Sequence, residues 1–267
     1  MKSIKGIQQK NAFGLAAKDY QKYRRSYGAE LYMLLFSLIE GQKAGEKTAI
    51  LDIGCGTGKS TEPIFASADG RDLAVLGIDP DEAMLNEARL SAKKKKLPIV
   101  YMQGTAEKLP FEKESFDAAI SGAAFHWFGN KRSLAKILNI LKPGGVLFVF
   151  WVQYAESATS KPTIGEEIYE RYDWKGIPKK FRGQDYVCGL LNESGFKNVE
   201  KKTILFKERA TVAESVGLLK TNSSYLLLSE KDKKDFVRDM TKAYKDALGK
   251  AGYEESDMEL RVCYGFK

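Results

Sequence analysis

The sequence predicts an α/β fold built on a parallel β-sheet with crossover helices. Between Thr48 and Val152, short apolar runs of strand length alternate with segments of helical periodicity, a pattern typical of βαβ units. A glycine-rich run, Gly54 to Gly58, directly follows the first apolar run and precedes a predicted helix. Pro143 and the two glycines after it mark a turn before the strongest predicted strand. We therefore expect residues 48–152 to form the core of the protein.

Within this core, strands and helices are predicted in sequence order. The predicted strands are Ala49–Ile53, Leu73–Ile78, Pro98–Met102, Phe116–Ser121 and Val146–Val152. The predicted helices are Ser60–Ser67, Pro80–Lys95 and Ser133–Leu141. Pro63 is compatible with the first of these helices only within its first turn. Lys142–Gly145 is expected to turn the chain into the fifth strand.

The segments that flank the core also carry predicted elements. These are helices at Ala29–Glu40, Gln184–Ser194 with Gly195 as its stop, Val212–Leu219 and Lys231–Leu248, and strands at Asn198–Phe206 and Leu260–Phe266. The stretch Gln153–Lys180 has no clear periodicity. We expect this stretch and the helices of residues 212–248 to form a cap over the strand ends, where the acceptor is chosen.

Composition excludes several classes of function. Three widely separated cysteines and a single histidine argue against a disulfide framework, a zinc site and a Ser-His-Asp triad. The N-terminus, Met1–Lys5, lacks the apolar core of a signal peptide, and no apolar run approaches the roughly 20 residues that span a bilayer. We therefore expect a soluble cytoplasmic protein without a membrane partner.

The net charge of +8 is compatible with a nucleic-acid partner. The favoured explanation is that the basic residues lie on solvated faces, because Lys93–Lys96 ends a predicted helix and Glu230–Lys245 mixes both signs. The sequence does not predict an oligomeric state.

The glycine run predicts a ligand site at the carboxyl end of the first strand. Glycines allow a ligand to approach the backbone, and the following helix offers unpaired N–H groups. The spacing of Gly54, Gly56 and Gly58 departs from the dinucleotide pattern, and a P-loop would need a glycine at Ile53. Asp79, at the end of the second strand, is placed to accept hydrogen bonds from the ribose hydroxyls of an adenosine.

These motifs resemble those of the class I S-adenosylmethionine-dependent methyltransferases. Leu51–Gly58 looks like motif I of that family and Gly77–Pro80 like its second motif. Gln103–Phe111 resembles the third motif, and Leu141–Gly145 the segment before the fifth strand. The resemblance implies a Rossmann-like, seven-stranded, mostly parallel sheet with an antiparallel last strand, helices on both faces and a small helical cap. It also implies one domain, with an N-terminal helical lid (1–47), a cofactor-binding core (48–152) and a cap with C-terminal strands (153–267).

The resemblance also implies a set of residues for S-adenosylmethionine. Asp52, Gly54 and Gly56 would surround the methionine part, with Cys55 and Gly58 in the same loop. Asp79 would hold the ribose, and Pro80 and Met84 would lie near the adenine. Thr105 stands where many relatives have Asp, which leaves the adenine amino group to the backbone around Ala106 or to Glu107. Ser121 and Gly122 would face the methionine amino group.

Further segments resemble the trans-aconitate methyltransferase-like branch of the methyltransferase type 11 group. They are Tyr20-x-x-Tyr23-Arg24-x-x-Tyr27, Phe125–Phe128 and Leu218–Tyr225. The last segment departs from the branch at Lys220, where the branch has Arg, and at Asn222, where it has Trp. The first segment also lacks the proline often found after its arginine.

This branch implies a small carboxylic acid as methyl acceptor. A carboxylate is already a nucleophile at neutral pH, and Arg24 could orient it by a bidentate pair. Arg24 could equally bind the cofactor carboxylate. The catalytic candidates are Tyr20, Arg24 and His126, and Tyr20 is, like Arg24, also a candidate contact of the cofactor. The predicted residues around the substrate are Tyr23, Tyr27, His126, Trp127 and Trp151. His126 would serve as a general base for a hydroxyl or carbon acceptor, or would be structural beside Trp127.

Other functions stay open at this point. The segment Ser121–Phe125 lacks the Asn/Asp-Pro-Pro-aromatic motif of enzymes that methylate exocyclic amines of nucleic acids. No cysteine lies between Cys55 and Cys188 to serve as the nucleophile of a cytosine-C5 enzyme. Both absences disfavour a nucleic-acid substrate. An RNA- or protein-modifying enzyme and a non-catalytic S-adenosylmethionine-binding protein remain alternatives.

Overall fold

A computed structural model describes residues 13–39, 47–155, 163–172, 174 and 183–267. Three parts of the sequence interpretation lie outside these residues: the N-terminus that was searched for a signal peptide, the predicted helix end at Glu40, and much of Gln153–Lys180. Within the described part of the chain, no helix combines the length and the apolar character needed to cross a membrane.

Seven strands form one sheet in the order β3-β2-β1-β4-β5-β7-β6. Their bounds are β1 Thr48–Ile53, β2 Leu73–Asp79, β3 Ile99–Gln103, β4 Phe116–Gly122, β5 Leu141–Tyr154, β6 Lys197–Thr211 and β7 Tyr253–Phe266. The first five strands pair in parallel. The last strand, β7, lies between β5 and β6 and runs antiparallel, which confirms the predicted seven-stranded sheet with helices around it.

The described α-helices are numbered in chain order. They are α1 Ala17–Tyr23, α2 Ala29–Leu38, α3 Pro63–Ala66, α4 Glu82–Lys95, α5 Lys131–Ile140, α6 Glu166–Arg171, α7 Gln184–Glu193, α8 Val212–Leu219, α9 Ser223–Leu226 and α10 Glu230–Leu248. Short 3₁₀ turns cover Phe13–Ala16, Phe125–Trp127 and Gly249–Ala251.

Two local predictions need correction. The helix expected over Ser60–Ser67 is confined to Pro63–Ala66, with Pro63 in its first turn, because the residues before it form hydrogen-bonded turns of the glycine loop. The turn expected at Lys142–Gly145 is a bulge inside β5. Phe116 pairs with Leu141 and Ala118 with Val146, so four residues of β5 face the single residue Asp117. Gly144, with φ +76°, allows this bulge.

The chain divides into two compact units, which we describe separately. The sheet unit comprises Arg25–Trp151, Pro178–Lys202 and Arg261–Lys267. One buried cluster of this unit includes Leu51, Ala119 on β4, Leu147 on β5 and Ile137 on α5, all with no exposed area. Both faces of β4 are covered, because six consecutive residues of the strand, Phe116 to Ser121, are buried.

The helical unit comprises Met1–Arg24, Val152–Ile177 and Thr203–Leu260. Its core is centred on Phe236 of α10, which is fully buried. Trp174 stacks on this ring at 5.0 Å between centroids and 4° between planes, and Tyr172 and Tyr225 also contact it. The predicted single domain with a lid, a core and a cap stays a prediction.

Candidate active site

The glycine loop joins β1 to the turns before α3 and is fixed by backbone hydrogen bonds to β2. The N–H groups of Gly54 and Cys55 donate to the carbonyl oxygen of Ile78 at 2.8 and 3.0 Å. Gly54, Gly56 and Gly58 have φ values of +75°, +54° and +84°, a region that favours glycine. The loop therefore requires glycine for its backbone conformation.

At two of these glycines, neighbouring residues also leave no room for a side chain. A Cβ atom at Gly54 would lie 2.5 Å from Cβ of Ala124, and one at Gly58 would lie 2.5 Å from the hydroxyl of Tyr101. Gly122, at the end of β4, is similar, because its Cβ would lie 2.8 Å from the ring of Phe150. Tight packing and backbone conformation thus select glycine together at Gly54 and Gly58.

Asp79, at the end of β2, holds the glycine loop from the other side. Its Oδ2 accepts a hydrogen bond from the N–H of Gly56 at 3.0 Å, and its Oδ1 accepts one from the N–H of Asp81 at 2.9 Å. Burial raises the pKa of Asp79 to about 6, although these two hydrogen bonds favour the charged form. A ligand with hydroxyl donors would add further stabilisation of the carboxylate.

Asp52, near the end of β1, is fully buried. Its Oδ2 accepts hydrogen bonds from the hydroxyls of Ser60 and Thr61, both at 2.6 Å. Its Oδ1 has no hydrogen-bond partner within the described part of the chain. Burial raises the pKa of Asp52 to about 6 against the effect of the two hydroxyls, and the charge of Asp79 raises it further. A buried carboxylate oxygen without a donor is a candidate contact for a cationic group of a ligand.

The other residues predicted to bind the cofactor follow neighbouring strands. Ser121 is buried at the end of β4, and its hydroxyl donates to the carbonyl oxygen of Ile53 at 3.0 Å. Met84 is buried in α4, and Pro80 is exposed just before that helix. The predicted adenine segment follows β3. In it Ala106 is buried, Glu107 is half-buried and Thr105 pairs with Lys108 in an isolated bridge.

The sheet order brings these positions together. The strands β3, β2, β1 and β4 are consecutive neighbours and parallel, so the segments that follow them meet at one edge of the sheet. This edge is where ligands bind in open α/β sheets. The predicted cofactor residues of the sheet unit therefore share one location.

The predicted acceptor residues of the sheet unit are aromatic and partly buried. Tyr27 contacts Phe150 edge to face, with 4.6 Å between ring centroids. His126 and Trp127 follow β4 in a 3₁₀ turn, with their rings 4.6 Å apart. Trp151 is buried in β5.

In the helical unit, Tyr20, Tyr23 and Arg24 contact the Leu218–Tyr225 segment or each other. The Nε of Arg24 donates to the hydroxyl of Thr221 at 2.9 Å, and the guanidinium lies over the ring of Tyr20 at 5.1 Å. Tyr23 packs so closely on α8 that a Cβ atom at Gly217 would overlap its ring. Two motifs about 200 residues apart in sequence therefore meet in one unit.

Sequence analysis missed the residues that support the glycine loop. Tyr32 of α2 is fully buried, and its hydroxyl donates to the carbonyl oxygen of Ser60 at 2.8 Å. Burial raises its pKa well above the usual value. Ser60 and Thr61 directly follow the loop, so their hydroxyls were a usable signal. Tyr32 is distant in sequence and gave no signal.

Comparisons with known proteins show similarity to methyltransferases. Residues 51–149 match the family model described as a methyltransferase domain. An uncharacterised methyltransferase of Mycobacterium tuberculosis is 32% identical over 158 residues, which are 59% of this chain and 58% of the relative. Ubiquinone biosynthesis O-methyltransferase of Dinoroseobacter shibae is 31% identical over 160 residues, 59% of this chain and 63% of that protein. The aligned region thus covers less than two thirds of either relative.

Solved structures extend the likeness in fold to nearly the whole chain. The structure of a presumed type II methyltransferase from Anaeromyxobacter dehalogenans aligns with a TM-score of 0.61 at 18% identity. The alignment covers 91% of this chain and 97% of that one. Other structures with similar folds contain S-adenosylhomocysteine or S-adenosylmethionine.

Proposed function

Because residues 51–149 match the family model described as a methyltransferase domain, we propose that the protein transfers the methyl group of S-adenosylmethionine to a small-molecule acceptor. The observation that carries this proposal is the hydrogen bond that the N–H of Gly56, in the glycine loop, donates to the carboxylate of Asp79. The matches support S-adenosylmethionine as the cofactor.

The described residues fit this cofactor in two respects. The half-buried carboxylate of Asp79 would accept hydrogen bonds from ribose hydroxyls, and the unpartnered Oδ1 of Asp52 would accept one from the methionine ammonium. When bound, the cofactor supplies an electrophilic methyl group on a sulfonium. The contribution of the protein is then to align the acceptor and to keep water away, because the reacting charges are neutralised as the new bond forms.

We propose a carboxylate as the acceptor, with oxygen as the methylated atom. Arg24 supports this choice, because Thr221 and the ring of Tyr20 orient its guanidinium and an oriented guanidinium suits a carboxylate. The acceptor would need no general base. The trans-aconitate methyltransferase-like branch is part of this proposal. The residues proposed to contact the acceptor are Tyr20 and Tyr23 in the helical unit and Tyr27, His126, Trp127 and Trp151 in the sheet unit.

A hydroxyl acceptor is the second candidate. The relative from D. shibae is named as an O-methyltransferase of ubiquinone biosynthesis, which favours oxygen as the acceptor atom. With a hydroxyl acceptor, a base would be needed, and His126 beside Trp127 is the proposed base. Activity that titrates with a histidine and disappears in His126→Gln would favour this candidate over a carboxylate.

The first test is calorimetric titration with S-adenosylmethionine and S-adenosylhomocysteine, with NAD as the control ligand. We expect binding of the two adenosyl ligands and none of NAD. Asp79→Ala should weaken that binding by about 1.5–3 kcal/mol, or roughly 10- to 150-fold, because hydrogen bonds to a charged group are lost. The matched control is Asp72→Ala, which removes an exposed carboxylate at the opposite end of β2. Equal affinities in the two variants would refute the assignment of Asp79.

Turnover is tested separately with radiolabelled S-adenosylmethionine and a panel of carboxylic acids, phenols and quinones. Labelled product from a carboxylic acid would support the proposed acceptor. Tight cofactor binding without transfer to any acceptor in the panel would instead support a non-catalytic binding protein. An RNA-modifying role predicts RNA retention that falls steeply between about 50 and 200 mM salt.

A further inference from the structure

Two of the three cysteines, far apart in sequence, lie together in the sheet unit. Cys188 is on α7 and Cys263 is on β7. Cys263 is fully buried in the main cluster of the core, and the half-buried Cys188 packs against the same cluster. The Sγ atom of Cys263 lies 3.4 Å from the carbonyl oxygen of Gln184, one helical turn before Cys188. Because Gln184 and Cys188 are one turn apart on α7, this contact places the Cys263 thiol beside the turn that carries Cys188.

The surroundings make the two thiols different. A hydrogen bond from the Cys263 thiol lowers the pKa of Cys188, and the nearby charge of Lys201 lowers it as well, whereas burial and Asp185 oppose the change. The same hydrogen bond and burial raise the pKa of Cys263. Lys201 on β6 forms an ion pair with Asp185 on α7, so both charges face Cys188. Cys188 is therefore the thiol with more thiolate character and more access to solvent, which are the two conditions for oxidation.

We propose that Cys188 and Cys263 form a site of reversible oxidation by peroxides, with Cys188 as the attacking thiol and Cys263 as the resolving thiol. The Cys188 thiolate attacks one oxygen of hydrogen peroxide, the O–O bond breaks, and a sulfenic acid and hydroxide are formed. Cys263 then attacks the Cys188 sulfur, its proton goes to the departing hydroxyl group, and water leaves. The sum is two thiols and one peroxide giving one disulfide and two waters.

This inference does not depend on methyl transfer or on S-adenosylmethionine. Cys55, in the glycine loop, supplies the internal comparison. It is buried in a different cluster, with Leu85, Ala88 and Tyr101, and burial raises its pKa well above the usual value. We therefore expect Cys55 to resist the peroxide dose that oxidises the Cys188–Cys263 pair.

The test counts alkylatable thiols in the full-length protein. Reduced protein is treated with a small excess of hydrogen peroxide, denatured, alkylated with iodoacetamide and weighed by intact mass spectrometry. All three free cysteines should react before oxidation and only Cys55 after it, and a reductant should restore the count. A peptide pair that joins Cys188 to Cys263 should appear in a digest made without reductant.

Single variants separate the roles of the three thiols. Cys188→Ser should keep both remaining thiols after peroxide, whereas Cys55→Ser should lose both. Cys188 is half-buried, so serine there should not prevent folding, and native circular dichroism checks this. In the folded wild type, iodoacetamide should modify Cys188 roughly tenfold faster than Cys55. Three reactive thiols in the treated wild type, oxygen addition without a cross-link, or a disulfide to Cys55 or between two chains would each overturn the proposal.

Discussion

The glycine loop of the sheet unit and the α1–α8 contact of the helical unit are held in different ways. In the loop, backbone N–H groups make the connections, and Gly54 and Cys55 both donate to the same carbonyl of β2. In the α1–α8 contact, side chains make them. Arg24 donates to Thr221, and Lys220 forms an ion pair with Asp19.

This difference explains why the cofactor is easier to predict from sequence than the acceptor. A backbone conformation with positive φ and no room for a Cβ atom restricts a position to glycine, so the constraint is visible in the sequence. A side-chain contact can be made by several residue types at variable distance. The Lys220 and Asn222 departures from the branch pattern illustrate this freedom, because each has a local role, in the Asp19 ion pair and in capping α9.

The largest expected effect is that of Gly54→Ala. The new Cβ would meet Ala124 at 2.5 Å in a backbone with φ +75°, so we expect a loss of about 3 kcal/mol in the free energy of unfolding and loss of S-adenosylmethionine binding. Gly70→Ala is the matched control, with φ +74° and no atom within 4 Å. It should cost about 1 kcal/mol and keep the affinity. Urea unfolding and calorimetry measure both quantities, and equal losses in the two variants would contradict the packing argument.

The second prediction concerns Arg24 of the helical unit. Arg24→Ala should raise the KM for the acceptor found by the radiolabel screen roughly 10- to 150-fold, because a hydrogen bond to a charged group is lost. The Kd of S-adenosylmethionine should be unchanged. Arg24→Lys should restore little, because lysine lacks the planar fork, and Lys22→Ala on the same helix is the control. A raised cofactor Kd with an unchanged acceptor KM would instead assign Arg24 to the cofactor carboxylate.

The elements that sequence analysis predicted well are those whose structure is determined by residues close together in the sequence. Val212–Leu219 has the predicted bounds, and Gly195 with φ +94° follows α7 as expected. The residues Ser60–Glu62 carry a helical pattern, but the glycine loop holds them in turns, and Ser60 and Thr61 bond to Asp52. Likewise, the bulge at Lys142–Gly145 depends on pairing with β4. Both misses arise where tertiary contacts override local preference.

The residues of the candidate site also differ in whether the sequence predicts them. The loop and Asp79 were predictable, because residue type and spacing carry the signal. The environment of Asp52 was not, since its partners include Ser60, which the distant Tyr32 of α2 fixes through a backbone carbonyl. No periodicity or motif connects Tyr32 to that carboxylate. Burial and an unpartnered oxygen become visible only when the chain is folded.

The third prediction concerns the charge of Asp52. Since its folded pKa is about 6 and that of an unfolded Asp is about 3.9, the folded chain binds the proton more tightly. The free energy of unfolding should therefore fall as pH rises from about 4 to about 6, and change little from this source above pH 6. Asp79, with its pKa also raised to about 6, contributes in the same direction.

Asp52→Asn should remove one of these two contributions while keeping an acceptor for Ser60 and Thr61. At pH 7.5 we expect the variant to be about 1–3 kcal/mol more stable than wild type, with a flatter pH profile, and to bind S-adenosylmethionine less tightly. Urea unfolding at pH 4.5 and pH 7.5 provides the measurement. A variant that is less stable than wild type at pH 7.5 would show that the folded chain stabilises the charge of Asp52.

The smallest effect compares a contact of a side chain with backbone N–H groups in the sheet unit with an ion pair between exposed side chains in the helical unit. The carboxylate of Asp81 caps α4 by accepting from the N–H groups of Ala83 and Met84, so Asp81→Ala should cost about 1 kcal/mol. Glu255 pairs with Arg209 and Lys207 on the surface, and Glu255→Gln should leave the free energy of unfolding unchanged within error, because solvent screens exposed pairs. Both variants are compared by urea unfolding at low and high salt. A larger loss in Glu255→Gln, weakened by salt, would mean that ion pairs between β6 and β7 stabilise the helical unit more than a helix cap stabilises the sheet unit.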